Sequence, residues 1–253
     1  MPDRLPKKLA IVPAYNEEAS VARVVSAINE HRPDFDVLVV DDGSTDSTSR
    51  CAKRAGAIVL RHPFNLGIGG AVQSGFQYAS RHDYQIAAQV DADGQHDPRY
   101  LSDLVERLCG DQEVDMVWGS RFQEEAGYKV PFMRRTGIML FSGLMSAIVR
   151  QRVTDPTSGF RMTNRRGIEL FARDYPHDYP EVEAILMMHA HRLRMSEVPV
   201  RMSNRLGGRS SITNPLSAYY MVKVLLAVLV GLFRSRPAVE PGGEAPVTAQ
   251  RGI

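Results

Sequence analysis

Two cysteines in 253 residues, Cys51 and Cys109, stand far apart with no His or Cys at metal-ligand spacing around them. That excludes a disulfide scaffold and a zinc cluster, and it predicts reduced thiols in a cytoplasmic chain. Tryptophan is nearly absent too; Trp118, the single one, reads as sheet core. Long apolar runs are missing. The unbroken run that follows Lys223 is ten residues, against the ~20 that a membrane-spanning helix needs. Met1 to Lys8 is polar, so no signal peptide is expected. No helix-turn-helix, zinc or aromatic-basic motif occurs, and nucleic acid is not an expected partner.

What is present is ordinary in amount and uneven in placement. Hydrophobic content of 43% and charged content of 24% suit a globular chain with one large core. The net charge of +2 hides two opposed halves. Residues 1–120 carry 12 Lys/Arg against 18 Asp/Glu, whereas residues 121–236 carry 18 against 9. An acidic half joined to a basic half predicts anionic ligands at the junction, or a basic face lying on an acidic membrane.

From residue 9 to residue 121 strand-like and helix-like stretches alternate. Strands are expected at Leu9–Tyr15, Val37–Val40, Ile58–Leu60, Tyr84–Val90 and Met116–Trp118. Helices are expected from Asn16-Glu17-Glu18 to about Glu30, over Ala71–Ser80 and over Pro98–Leu108. This alternation predicts a mostly parallel sheet with helices on both faces. In such sheets ligands sit at the carboxyl ends of strands, which is where Tyr15, Asp42, Asp91 and Arg121 fall. Gly43 and Gly94 are placed to turn the chain after two of them. Asp91-Ala92-Asp93-Gly94-Gln95 sets two carboxylates and an amide oxygen after a buried strand. Such hard oxygen ligands suit Mg²⁺ or Mn²⁺ carrying substrate phosphates. The plainer reading, two aspartates capping a loop and a helix, stands beside it.

Beyond residue 121 the pattern loosens. Thr154–Met162 reads as a turn entering a short strand, Tyr179–Met188 as a buried helix with Glu181 and Glu183 in its first turn, and Glu197–Arg201 as an edge strand. Residues 1–212 are read as one domain, in two halves that meet at about residue 121. Residues 213–236 form an amphipathic segment that lies on a membrane, docks a membrane partner or joins the core. Residues 237–253 read as a disordered tail.

Taken together these residues resemble the inverting GT-A glycosyltransferases of family 2, and most of all the dolichyl-phosphate mannose synthase and polyprenyl-phosphate sugar transferase group. The marks are Val12-Pro-Ala-Tyr-Asn-Glu17, Val40-Asp-Asp-Gly-Ser-Thr-Asp46, Asn65-Leu-Gly67 with Gly69-Gly70-Ala71, Val90-Asp-Ala-Asp-Gly-Gln95, Gly119-Ser-Arg121, and Asp155 with Ser158-Gly-Phe160. They occur in family order across about four-fifths of the chain. Ile68 stands where the family usually has Lys.

The resemblance implies a GT-A (Rossmann-like) α/β domain with a mostly parallel central sheet, its nucleotide-binding half at about 9–121 and its acceptor half at about 122–212. It implies that Pro13, Ala14, Tyr15, Glu17, Gly69 and Ala92 line the nucleotide and that Asp42 reads the base, although Asp41 could be the ligand and Asp42 the turn former. Asp91, Asp93 and Gln95 would hold Mg²⁺ or Mn²⁺ against the diphosphate. Arg121 with Arg134 or Arg135 would hold a lipid-acceptor phosphate, with Arg205 and Arg209 on a closing loop, and Asp155 joins the catalytic set. A hydroxyl acceptor requires a general base, Glu181 or Glu183. A phosphate acceptor does not, being largely dianionic near pH 7, and the arginine excess favours it. The implied partners are a UDP- or GDP-linked sugar, a lipid phosphate, and a membrane surface or small membrane protein at the inner face; a homodimer is left open. Two alternatives remain: transfer to a sugar hydroxyl, and a non-catalytic subunit that keeps the fold.

Overall fold

The computed structural model describes residues 6–110, 114–122, 132–177 and 179–203, the stretch 132–140 by its backbone alone. The chain divides into two units, Met1–Thr213 and Asn214–Ile253, and the described residues lie in the first. The segments 213–236 and 237–253, with Arg205 and Arg209, lie outside the described residues.

Among the described residues seven strands form one sheet. In chain order they are β1 (Lys8–Ala14), β2 (Phe35–Asp41), β3 (Ile58–Arg61), β4 (Ile86–Gln89), β5 (Met116–Ser120), β6 (Arg161–Asn164) and β7 (Met195–Pro199). Across the sheet they run β3-β2-β1-β4-β6-β5-β7. All neighbours are parallel except β6, which is antiparallel to both β4 and β5. The first strands are apolar runs buried on both faces, as parallel strands covered by helices must be. Trp118 is fully buried in β5. β7 takes the sheet edge, where Pro199 deprives no inner ladder of a donor.

The helices are α1 (Val21–His31), α2 (Thr48–Arg54), α3 (Gly67–Arg81), α4 (Leu101–Cys109), α5 (Phe132–Val149), α6 (Arg165–Arg173) and α7 (Pro180–Ala190). Val21, Val24, Val25 and Ile28 form the buried face of α1, as their spacing predicts. The start of α1 differs from expectation. Asn16 takes a left-handed backbone (φ 54°), and residues 15–18 form a loop. The reason is a set of side-chain bonds to the loop after β2. Asn16 Oδ1 accepts from the Thr45 amide at 2.9 Å, Asp46 Oδ2 from the Glu18 amide at 3.1 Å, and Glu18 Oε2 from the Ser47 amide at 2.9 Å. These bonds tie residues 16–18 to the neighbouring loop in a non-helical conformation.

Helix α3 begins four residues earlier than the sequence suggests and includes Gly69 and Gly70. A Cβ on Gly69 would stand 2.3 Å from the Pro176 carbonyl oxygen, so the helix start packs directly on the 176–177 backbone. Helix α6 was not foreseen; Asn164 caps it by accepting from the Arg166 and Gly167 amides at 3.0 and 3.3 Å. Among the described residues no helix is long and apolar enough to cross a membrane.

Candidate active site

The strand ends converge as the alternation requires. β1, β2, β4 and β5 end at Ala14, Asp41, Gln89 and Ser120, and antiparallel β6 begins at the same edge with Arg161. Pro13 and Ala14 are buried, and Tyr15 follows them with 47% of its surface exposed. Glu17 accepts from Ser20 Oγ at 2.6 Å while its amide donates to Thr48 Oγ1 at 2.8 Å. Its carboxylate therefore braces the start of α1.

Gly43 turns the chain after β2 with φ 74°. Both aspartates before it are buried and engaged. Asp41 accepts from the Ser44 amide at 2.9 Å and from Ser49 Oγ. Burial opposes its ionisation, but the serine donors outweigh that and hold its pKa below the usual carboxylate range. Asp42 accepts from the amides of Leu66 and Gly67, each at 2.9 Å, and its Oδ1 lies 2.7 Å from His62 Nδ1. His62 Nε2 in turn meets Ser74 Oγ of α3 at 2.9 Å. Asp42 thus ties the 62–67 loop to the end of β2, and Gly69 lies in the first turn of the helix that follows.

The loop after β4 carries the paired carboxylates. Asp91 is half-exposed and accepts from Gln89 Nε2 at 3.2 Å; Asp93 is buried and accepts the Gln95 amide at 2.9 Å. Ala92 is buried between them, and Gly94 turns the chain with φ 77°. His96 fixes this loop. Its Nδ1 accepts the Asp91 amide at 3.0 Å, so that nitrogen carries no proton, and Nε2 lies 3.6 Å from Asp91 Oδ2. Its ring stacks on Phe160, with centroids 4.9 Å apart. His96 also bridges to Met202, and the Ser203 amide donates to the Gln95 carbonyl at 2.9 Å.

Among the described residues no three His, Cys, Asp or Glu side chains converge into a metal cage. Two carboxylates and an amide oxygen do fit Mg²⁺ or Mn²⁺, ions that take one or two protein carboxylates and complete their shell with water and substrate phosphates.

Arg121 and Asp155 meet on the other side. The guanidinium forks onto the carboxylate, Nε to Oδ2 at 2.6 Å and Nη2 to Oδ1 at 2.8 Å, and the Arg121 amide donates to Oδ2 at 3.1 Å. Asp155 is fully buried. Glu197 of β7 holds the turn from behind, accepting from the Thr154 and Asp155 amides and from Thr154 Oγ1. The same turn reaches the paired carboxylates, since a Cβ on Gly159 would lie 3.2 Å from Asp91 Oδ2.

Glu181 and Glu183 are half-buried in the first turn of α7. Burial raises the Glu181 pKa above the usual carboxylate value, with Arg161 pulling the other way. Arg134 and Arg135 lie in α5, with side chains outside the described residues.

Sequence reasoning gave His96, Glu197 and Arg161 no functional role. Arg161 is 5% exposed, and burial lowers its pKa against the pull of Tyr175, Glu181, Asp155 and Asp91. The local pattern around it is that of a strand, and no spacing marks the residue as special.

With this geometry in place, comparison with known proteins is informative. The profile of glycosyl transferase family 2 matches residues 9–171. The undecaprenyl-phosphate mannosyltransferase of Micrococcus luteus is 29% identical, over 85% of this chain and 91% of that protein. The UDP-N-acetylglucosamine–dolichyl-phosphate N-acetylglucosaminyltransferase of Methanococcus voltae is 28% identical, over 76% of this chain and 83% of its own length. Among solved structures, glucosyl-3-phosphoglycerate synthase from Mycobacterium tuberculosis, in complex with Mn²⁺, UDP and glucosyl-3-phosphoglycerate, superposes with a TM-score of 0.67. It covers 93% of this chain and 83% of the synthase at 20% identity, a likeness of fold alone.

Proposed function

The chain belongs to glycosyl transferase family 2, and from that membership we propose that it moves a sugar from a UDP- or GDP-linked donor to a polyprenyl phosphate, inverting the anomeric carbon. The observation that carries the reading is the fork of Arg121 on buried Asp155, held by one turn beside Asp91. It supports the reading because the turn whose Asp155 orients the Arg121 guanidinium also brings Gly159 against Asp91, so that a cation suited to one phosphate and a carboxylate suited to a metal on the other share one support.

Pro13, Ala14, Tyr15, Glu17, Asp42 and Gly69 form the nucleotide side, with Asp42 and His62 fixing the loop that faces it. Asp91, Asp93 and Gln95 would hold Mg²⁺ or Mn²⁺, which when bound offsets charge growing on the departing nucleoside diphosphate. Arg121, with Arg134 or Arg135, orients the acceptor phosphate for in-line attack, and Arg205 and Arg209, outside the described residues, are further cations suited to that phosphate. A phosphate needs no general base. The raised proton affinity of half-buried Glu181 favours a second reading, in which Glu181 or Glu183 deprotonates a sugar hydroxyl. The lipid acceptor implies action at the inner face of the membrane through residues 213–236 or a small membrane partner.

Calorimetry with UDP- and GDP-sugars, with and without Mn²⁺, tests the donor site. One nucleotide binds only with metal, and Asp93→Ala loses that binding. Turnover assays with a polyprenyl phosphate and with free sugars then test the acceptor. A sugar hydroxyl as the preferred acceptor would overturn the lipid-phosphate assignment.

A further inference from the structure

Arg161 has no part in the chemistry described so far, yet its position is costly. A guanidinium this deeply buried loses its hydration, and the loss is recovered only where good hydrogen bonds replace water. Two do: Nε donates to the Ser158 carbonyl at 2.7 Å and Nη2 to the Pro156 carbonyl at 3.3 Å. Nη1 has no partner. Glu181, Asp155 and Asp91 face the group only through space. The pocket it borders with Phe76, Gln89 and Tyr175 is about 10 Å³, which admits one water at most and no phosphate. The cavity leaves little room for a substrate, so the guanidinium's own bonds to the chain are what its burial serves.

What Arg161 grips is the turn that joins the two sides of the site. Pro156 and Ser158 lie between Asp155, which orients Arg121, and Gly159, which abuts Asp91. The turn is held at both ends, by Glu197 through the Thr154 and Asp155 amides and by Arg161 through its carbonyls. We propose that Arg161 is a positioning residue for transfer: its buried fork fixes the 155–159 turn, so that Asp155 presents the Arg121 guanidinium to the acceptor phosphate. The inference rests on the transfer reaction proposed above.

The test compares wild type, Arg161→Met, Arg121→Lys and the double variant, with Mn²⁺, the donor that wild type binds and a polyprenyl phosphate in detergent micelles. R161M relieves the desolvation of a buried cation but leaves the Pro156 and Ser158 carbonyls without their donor, so its melting temperature is read first and falls by no more than about 10 °C. Its KM for the polyprenyl phosphate nevertheless rises about 10- to 100-fold, the effect of misplacing a binding group by about 1 Å. Because Arg161 acts through Arg121, the double variant is within about threefold of R121K, not the product of the two losses. If R161M does not fold, Arg161→Lys, which keeps the charge without the fork, carries the same comparison. An active wild type beside a folded Arg161 variant with unchanged acceptor KM, or fully multiplicative losses, overturns the inference alone. A wild type that transfers nothing to the lipid phosphate overturns the function it rests on, and the inference with it.

Discussion

Asp155→Asn is the most demanding test of the site's architecture. Asp155 is fully buried and accepts from Arg121 Nε, Nη2 and N and from Thr157 Oγ1, at 2.6 to 3.1 Å. Asparagine keeps the shape but removes the charge and turns one accepting oxygen into a donor facing the guanidinium. Breaking a buried ion pair costs about 3–5 kcal/mol. The Arg121 side chain keeps 19% of its exposure, so water screens part of the loss and about 2–4 kcal/mol is expected. For a chain of this size that lowers Tm by roughly 5–15 °C. Thermal unfolding at pH 7 followed by circular dichroism reads it directly. Arg121→Met is the companion, and it costs at least as much, because it strands the more deeply buried partner. A Tm within about 2 °C of wild type for D155N, or a clearly milder R121M, would refute the claim that this pair anchors the turn.

Two further outcomes follow from other contacts. Gly69→Ala sets a Cβ 2.3 Å from the Pro176 carbonyl oxygen and 2.7 Å from His177 Cα; the helix start must shift, and urea unfolding loses about 1–3 kcal/mol, whereas an unchanged midpoint would mean that α3 and the 176–177 backbone are not in contact. Burial raises the Glu181 pKa, so its contribution to stability is fully present below the unfolded value and is lost as pH rises through the folded one. Glu181→Gln therefore melts higher than wild type at pH 7, with the gap closing near pH 4; parallel pH profiles would contradict the raised value.

Much of this molecule was legible in the chain. Strand–helix alternation to residue 121 placed Tyr15, Asp42, Asp91 and Arg121 at strand ends, because burial imposes a local period on each element. Gly43 and Gly94 marked turns for the same local reason, the left-handed backbone that glycine adopts without strain. The start of α1 was misplaced because Asn16 and Glu18 bond residues nearly thirty positions away, a partnership no window along the chain contains. The insertion of β6 between β4 and β5 was equally invisible, and it matters most. It brings Gly159 against Asp91, lays Phe160 on His96 and buries Arg161 beneath the turn that carries Asp155. The sequence by itself determined which residue types stand at which strand ends. Tertiary structure decided which of them are chemical groups and which are braces, because hydrogen-bond partners and dielectric surroundings belong to segments that meet only after the sheet has closed.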